Sequence, residues 1–210
     1  MSKVAIKGAE TGTGVFTLES PATNTDRTLV LPDSTTTLVG TDAAQTLTNK
    51  TIQGGALTSA TAVSASGTSV DFTSIPSWVK RITVMFAEVS LSGIASVDFQ
   101  VGSGSLSTSG YLGSRTSFTS STMATVQPTG AFATTTGSNA AGTINGSIVL
   151  THVGGNIWTA NGAAFLSNTT RSCIFGGSIT LSGVLDLVSV VSGNGTDTFD
   201  AGTINIMYEG

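Results

Sequence analysis

A run of alternating apolar and other residues from Lys80 to Val89 constrains the fold of this chain more than any other feature. Ile82, Val84 and Phe86 fall on one side of an extended backbone, and the intervening positions fall on the other. A period of two over such a length is typical of a half-buried β-strand. Because proline cannot donate a backbone hydrogen bond to a sheet, Pro76 predicts that the chain turns just before this strand.

Short segments of the same kind recur from Ala62 onward, separated by glycine-rich turns. The alternating segments are Val97–Val101, Ile148–Val153, Ile179–Leu181 and Ile204–Tyr208. The turn sequence Gly154-Gly155-Asn156 predicts a hairpin between residues 148 and 160. Many short strands without helical periodicity favour an all-β fold, and for residues 62–210 we predict an antiparallel β-sandwich of the jelly-roll kind.

Ionic side chains are scarce in this chain, and this argues against several functional classes. Asp, Glu, Lys and Arg make up 10% of the residues, against about 25% in an ordinary globular domain. The net charge is -4 and the eight Lys and Arg residues are scattered, so we expect no direct binding of nucleic acid, which needs a basic footprint. No apolar run is long enough for a membrane-spanning helix. The first ten residues lack the apolar core of a signal peptide, so none is predicted.

The beginning of the chain predicts a segment distinct from the sandwich. Residues 1–40 hold four short strand candidates, and their summed apolar area is too small for an isolated fold. This segment therefore needs copies of itself or a docking partner. Residues 41–61 indicate a connector with a short helix followed by an extended stretch. The alternative for the connector is a plain solvated linker.

Several segments of the chain resemble a known class of protein. They are Phe72–Phe86 (FTSIPSWVKRITVMF), the turn Gly110-Tyr111, Asn194–Glu209 (NGTDTFDAGTINIMYE) and Phe16–Ile52. The first three are similar to the C-terminal domain of many bacteriophage tail-fibre and related virion proteins, and the last resembles the N-terminal segment of the same class. The resemblance implies a structural protein of the virion, made in the host cytoplasm. Residues 1–55 would attach to other virion structural proteins, and the C-terminal domain would contact a glycan or protein of the host surface.

The resemblance also implies a homotrimer in which three connectors run side by side. Three apolar residues of the connector are candidates to face the three-fold axis: Leu47, Ile52 and Leu57. Both sides of the predicted strand from Leu185 to Val191 are largely apolar, so Val188 and Val190 are further candidates for contact with another subunit. The alternative for this strand is a central position, covered by a loop of its own chain.

Signals of catalysis and metal binding are weak, and we predict no enzyme activity, no metal and no cofactor. His152, the single histidine, lies in an alternating strand, and we interpret it as a hydrogen-bonded sheet residue. Asp197 and Asp200 in a glycine-flanked loop could bind a hard cation such as calcium. We favour turn formation by these side chains instead. Cys173 has no second cysteine to pair with, and we interpret it as a buried apolar residue.

The longest predicted loop, Gly102 to Thr122, is the first candidate for host contact, because loops on a rigid sandwich often carry binding residues. It holds a ring that could stack on a sugar, a guanidinium donor and an apolar contact: Tyr111, Arg115 and Phe118. The alternative for Tyr111 is a structural residue packed into the sheet. Residues 134–143 form a second candidate loop. Both tryptophans, Trp78 and Trp158, are predicted to pack in the core.

Two other functions are compatible with a β-rich virion protein. A capsid decoration or cement protein that stabilises the head is the alternative, since 210 residues is short for a fibre that reaches the host. A glycan-degrading tailspike is less favoured, because tailspikes usually carry a long repetitive β-helix and no repeat is visible.

Overall fold

The structure of this chain is a computed structural model that describes residues 11–14, 22–26, 57–136, 140–167 and 171–210. The chain divides into two compact units, Met1–Lys50 and Thr51–Gly210. The strands predicted before residue 40 and the helix predicted near residue 41 lie outside the described residues. The last part of the predicted connector 41–61 does not remain separate, because Thr58–Ser59 already pairs with a strand of the sandwich.

Fourteen β-strands form the described part of the second unit. They are β1 (Thr58–Ser59), β2 (Val63–Ser64), β3 (Ser69–Thr73), β4 (Arg81–Leu91), β5 (Ser96–Ser103), β6 (Ser105–Leu106), β7 (Leu112–Phe118), β8 (Met123–Val126), β9 (Phe132–Thr136), β10 (Ile144–Gly154), β11 (Ile157–Leu166), β12 (Arg171–Thr180), β13 (Leu187–Ser192) and β14 (Phe199–Glu209).

These strands build two antiparallel sheets. The large sheet has nine strands in the order β1-β14-β4-β10-β11-β12-β7-β8, and β2 also pairs with β14. The small sheet has five strands in the order β3-β13-β5-β6, and β9 also pairs with β5. The predicted hairpin is confirmed, since β10 and β11 pair with His152 opposite Trp158.

The core lies between the inward faces of the two sheets. Ile82, Val84 and Phe86 of β4 are at most 3% exposed, as their alternation predicts. The ring of Phe99, in the small sheet, lies 5.4 Å from the ring of Phe86 and 5.8 Å from the ring of Phe175, both in the large sheet. These contacts belong to a buried apolar cluster that both sheets share. They confirm the all-β sandwich, while the jelly-roll connectivity remains a prediction.

A β-bulge near the end of β4 shifts the alternation by one residue. Glu88 is exposed with a φ of 54°, and Val89 then returns to the core. The backbone N–H of Glu88 donates to Oδ1 of Asn145 at 2.8 Å. On the opposing strand, Gly202 has a φ of 97°, and a Cβ there would lie 2.5 Å from Cα of Val89. Both the backbone conformation and the close approach therefore require glycine.

Three predictions about this unit were wrong. Residues 102–122 are not one long loop, because they contain the end of β5, all of β6 and all of β7. Val188 and Val190 are fully buried in the core of a single chain, since β13 is a central strand between β3 and β5. They are therefore unavailable to another subunit. Trp78 is 45% exposed and packs beside the ring of Tyr208 rather than in the core, whereas Trp158 is buried as predicted.

Candidate functional site

Tyr111, predicted to contact a receptor, is instead a core residue. Its side chain is 1% exposed, and its ring packs edge-on against Phe132 at 4.8 Å. The hydroxyl accepts a hydrogen bond from the backbone N–H of Val101 at 2.9 Å and lies 3.1 Å from the carbonyl of Ser107, to which it can donate. Burial raises the pKa of Tyr111 to about 12, although the hydrogen bond with the Val101 backbone lowers it. The structural alternative for Tyr111 is therefore correct.

Arg115 lies in β7 and is also part of the sandwich rather than a free donor. Its side chain is half-buried, and its guanidinium donates to the backbone carbonyl of Thr134 in β9. The positive charge also acts on Asp98 of β5, whose Oδ1 is buried and has no hydrogen-bond partner in the described part of the chain. Burial raises the pKa of Asp98 from 3.8 to about 6, although a Ser96 hydrogen bond and the Arg115 charge both lower it. The contacts of Arg115 therefore lie within the sandwich, where its guanidinium links β7 to β9.

Phe118 ends β7 on the opposite face, the outer face of the large sheet, and is 39% exposed. It pairs across the sheet with Met123 of β8 and with Ser172 of β12, and Ser172 pairs in turn with Phe165 of β11. Met123 and Phe165 are 70% and 51% exposed. The structure therefore separates the three predicted receptor contacts, and of these it leaves Phe118 on an accessible surface.

A shallow trough of about 570 Å³ crosses the outer face of the large sheet. Its lining comes from the outward positions of β7, β12, β11 and β10, together with the ring of Phe175 beneath Gly162. The polar side chains of the lining are those of Ser114, Thr116, Ser147 and Asn161. Its apolar side chains include those of Val149, Ala163 and Ile174. The trough thus offers neutral hydrogen-bonding groups beside apolar surface, which is the usual chemistry of a small-molecule site.

His152 and Cys173 have the structural positions predicted for them. Nε2 of His152 lies 2.8 Å from the carbonyl oxygen of Gly155, and its ring packs 5.1 Å from that of Trp158. These residues line a small cleft of about 120 Å³, together with Lys80. Cys173 is 1% exposed in β12.

Asp197 and Asp200 bind different parts of the sandwich. Oδ2 of Asp197 accepts a hydrogen bond from the backbone N–H of Ala95 at 3.0 Å. Oδ1 of Asp200 accepts from the hydroxyl of Ser90. Within the described ranges, no three His, Cys, Asp or Glu side chains cluster as metal ligands would. The two carboxylates therefore act in loop and strand hydrogen bonds.

The connector candidates for a three-fold axis are largely untested. Leu47 and Ile52 lie outside the described residues. Leu57 is the first described residue of the second unit and is 58% exposed, so its side chain is accessible to another chain. The residues of segment 1–55 that the structure describes, 11–14 and 22–26, are exposed.

Comparison with known protein families, with curated proteins and with solved structures finds no match. The part of the chain that the structure describes contains no helix that could cross a membrane.

The trough was not among the sites predicted from the sequence. Its residues come from β7 and from the consecutive strands β10, β11 and β12, and each of its outward residues alone is an ordinary sheet position. One signal was present: glycine inside a strand often marks a place where something approaches the backbone closely. Gly176 and Gly177 lie in the middle of β12 and carry that signal.

Proposed function

We propose that this chain is a non-enzymatic virion fibre protein of a bacteriophage. It forms a homotrimer, attaches to the particle through residues 1–55 and contacts the host surface through its β-sandwich. The sequence resemblance supports the class of protein, and one feature of the structure supports the binding role of the sandwich. That feature is the outer face of the large sheet.

This outer face is broad, neutral and open. On β7, β10, β11 and β12 its described outward positions carry hydroxyl, amide, small or apolar side chains and no charge. Leu112, Ile174 and Phe165 remain 74%, 56% and 51% exposed there. Phe118, Met123 and Phe165 lie in one row across the strands of this face. An exposed apolar patch rimmed by polar residues often marks an interaction surface. The face therefore supports a sandwich that binds a partner.

The division of the chain supports separate attachment and binding segments. Met1–Lys50 forms a unit distinct from Thr51–Gly210, so the first can dock on the particle while the second presents its own surface. Three copies would bring three equivalent surfaces to one target, and avidity would exceed the affinity of a single contact by about 10²–10⁴ where the geometry allows.

The edge strand β8 supports a second candidate, a capsid decoration protein. Met123–Val126 are all exposed, and β8 ends the large sheet among the described strands. Such an edge can pair with a strand of a neighbouring protein. A decoration protein would use it to join the capsid.

Imaging distinguishes these functions. Gold-labelled antibody fragments against the sandwich should label the tails of virions that contain this protein. Label on the heads would favour the decoration protein, and unlabelled particles would refute both. Recombinant protein should also compete with virions for adsorption to host cells. Unimpaired adsorption at saturating protein would contradict host contact by the sandwich.

A further inference from the structure

The trough is built by two neighbouring rows of residues that cross the large sheet. Strand register places Ser114, Gly176, Asn161 and Val149 side by side in one row. It places Thr116, Ile174, Ala163 and Ser147 in the next. Each row contains two polar residues, and the residues between these two are glycine or apolar. The trough therefore runs across β7, β12, β11 and β10.

Gly176 keeps the centre of the trough open. A Cβ at this position would lie 2.4 Å from the backbone carbonyl oxygen of Ala160, so the close approach of β11 requires glycine, and no side chain rises into the trough here. Ser114 and Asn161 stand on either side of this gap. The gap between Ser114 and Asn161 follows from the packing of the strands and exists without a ligand.

The uncharged lining of the trough favours a neutral ligand over a charged one. Hydroxyls and one amide supply donors and acceptors, while Ile174, which is 56% exposed, supplies an apolar contact. The described lining has no cationic side chain to pair with an anion and no carboxylate to pair with a cation. Desolvating a charged ligand here would be costly without such a partner. A neutral ligand with many hydroxyls and apolar C–H faces matches both kinds of group.

The dimensions of the trough favour a chain of rings over a single ring. Its volume of about 570 Å³ lies within the range of small-molecule sites. Four adjacent strands enclose three inter-strand spacings, a span of roughly 14 Å. This length suits a short oligosaccharide that lies across the strands.

We propose that the trough centred on Gly176 binds a neutral oligosaccharide, with Asn161, Ser114, Thr116 and Ser147 hydrogen-bonding to its hydroxyls and Ile174 packing against a ring face. This inference rests on the proposed function, because it identifies the host-surface glycan as the ligand class and gives its site. It moves the binding residues away from Tyr111 and Arg115 and onto a rigid sheet. The competing occupant is a second copy of this chain.

Ligand-observed NMR on the full chain tests the proposal. Saturation-transfer difference spectra would be recorded with maltohexaose, cellohexaose, chitohexaose and a linear galactohexaose, each titrated into the millimolar range. Hexagalacturonate, a charged chain of the same length, is the matched control ligand. We expect transfer to the C–H protons of at least one neutral chain and none to hexagalacturonate. Absence of transfer to all four neutral chains would overturn the proposal.

Three variants then locate the binding. Ser114→Trp fills the trough and should abolish the signal, and Asn161→Ala should weaken binding by up to about tenfold through loss of one hydrogen-bonding group. Thr159→Ala is the control, because Thr159 is exposed on the same face of β11, outside the trough. Unchanged signal in Ser114→Trp, with a folded protein by circular dichroism, would refute this site.

Light scattering on the same variants tests the competing occupant. If Ser114→Trp lowers the mass of the assembly, the face joins two copies of the chain and the glycan proposal is wrong. An unchanged mass with lost saccharide binding supports it. Failure here is distinguishable from failure of the proposed function, because virion labelling and competition for adsorption do not depend on which surface of the sandwich binds.

Discussion

Replacing Asp98 by Asn tests the energetics of the sandwich most directly. The carboxylate hydrogen-bonds with Ser96 and is subject to the charge of Arg115, and its Oδ1 is buried without a described partner. Burial raises its pKa from 3.8 to about 6. Because the folded state holds the proton more tightly, this group contributes stability that is fully present below pH 3.8 and is lost as the pH rises through about 6. A pKa rise of this size corresponds to about 3 kcal/mol.

Asn keeps the shape of the protonated side chain and does not ionise. We therefore expect the free energy of unfolding of Asp98→Asn, relative to the wild type, to increase by up to about 3 kcal/mol between about pH 3 and pH 7. Urea unfolding followed by tryptophan fluorescence at several pH values would measure this difference. Asp26→Asn removes the same charge from an exposed residue of the other unit and is the control.

Parallel pH profiles for the wild type and Asp98→Asn would refute the reasoning. They would mean that the carboxylate is solvated in solution, or that Arg115 compensates for its burial completely. Arg115→Gln separates these two explanations. With the guanidinium gone, the pKa of a buried Asp98 should rise further and steepen the pH dependence, whereas a solvated carboxylate should respond little.

Three other predictions concern the described structure and its assembly. Tyr111→Phe removes the acceptor of the Val101 N–H and should destabilise the fold by about 1–3 kcal/mol, as measured by urea unfolding. A Tyr111→Phe protein of unchanged stability that adsorbs less well to host cells would contradict this structural role. Gly202→Ala should lower the melting temperature by several degrees, because Gly202 approaches the backbone of β4 closely. Gly12→Ala is the control and should leave the melting temperature unchanged, because Gly12 has open surroundings. Equal effects of the two changes would argue against the bulge geometry. Light scattering should give three times the chain mass of 21.0 kDa, and a stable monomer at micromolar concentration would exclude the trimer.

Local alternation was enough to predict much of the sandwich, because strand geometry ties sequence spacing to burial. Ile82, Val84 and Phe86 are buried as predicted, and so are Val97, Phe99 and Val101. Trp158 is also buried as predicted. Each of these inferences used only neighbours along the chain.

Predictions that depended on distant neighbours were less successful. Serine, threonine and glycine made residues 102–122 resemble a loop, but pairing with β12 and β8 makes Leu112–Phe118 a strand. Pairing of β13 on both sides puts Val188 and Val190 in the core. The trough depends on the register of four strands, which no local pattern reports. Only the assembled sheet brings Ser114 and Asn161 to the two sides of Gly176.

The position of β14 has a consequence for biosynthesis. This strand follows the other thirteen described strands in the chain, yet it lies inside the large sheet, between β1 and β4, with Tyr208 opposite both Thr58 and Ile82. Until β14 has left the ribosome, β4 has an open edge and β1 and β2 have no partner among the described strands. Pairings across such long sequence separations form slowly. An emerging chain therefore exposes a pairing edge that a nearby nascent copy could occupy, and prompt docking of β14 protects the sandwich from aggregation.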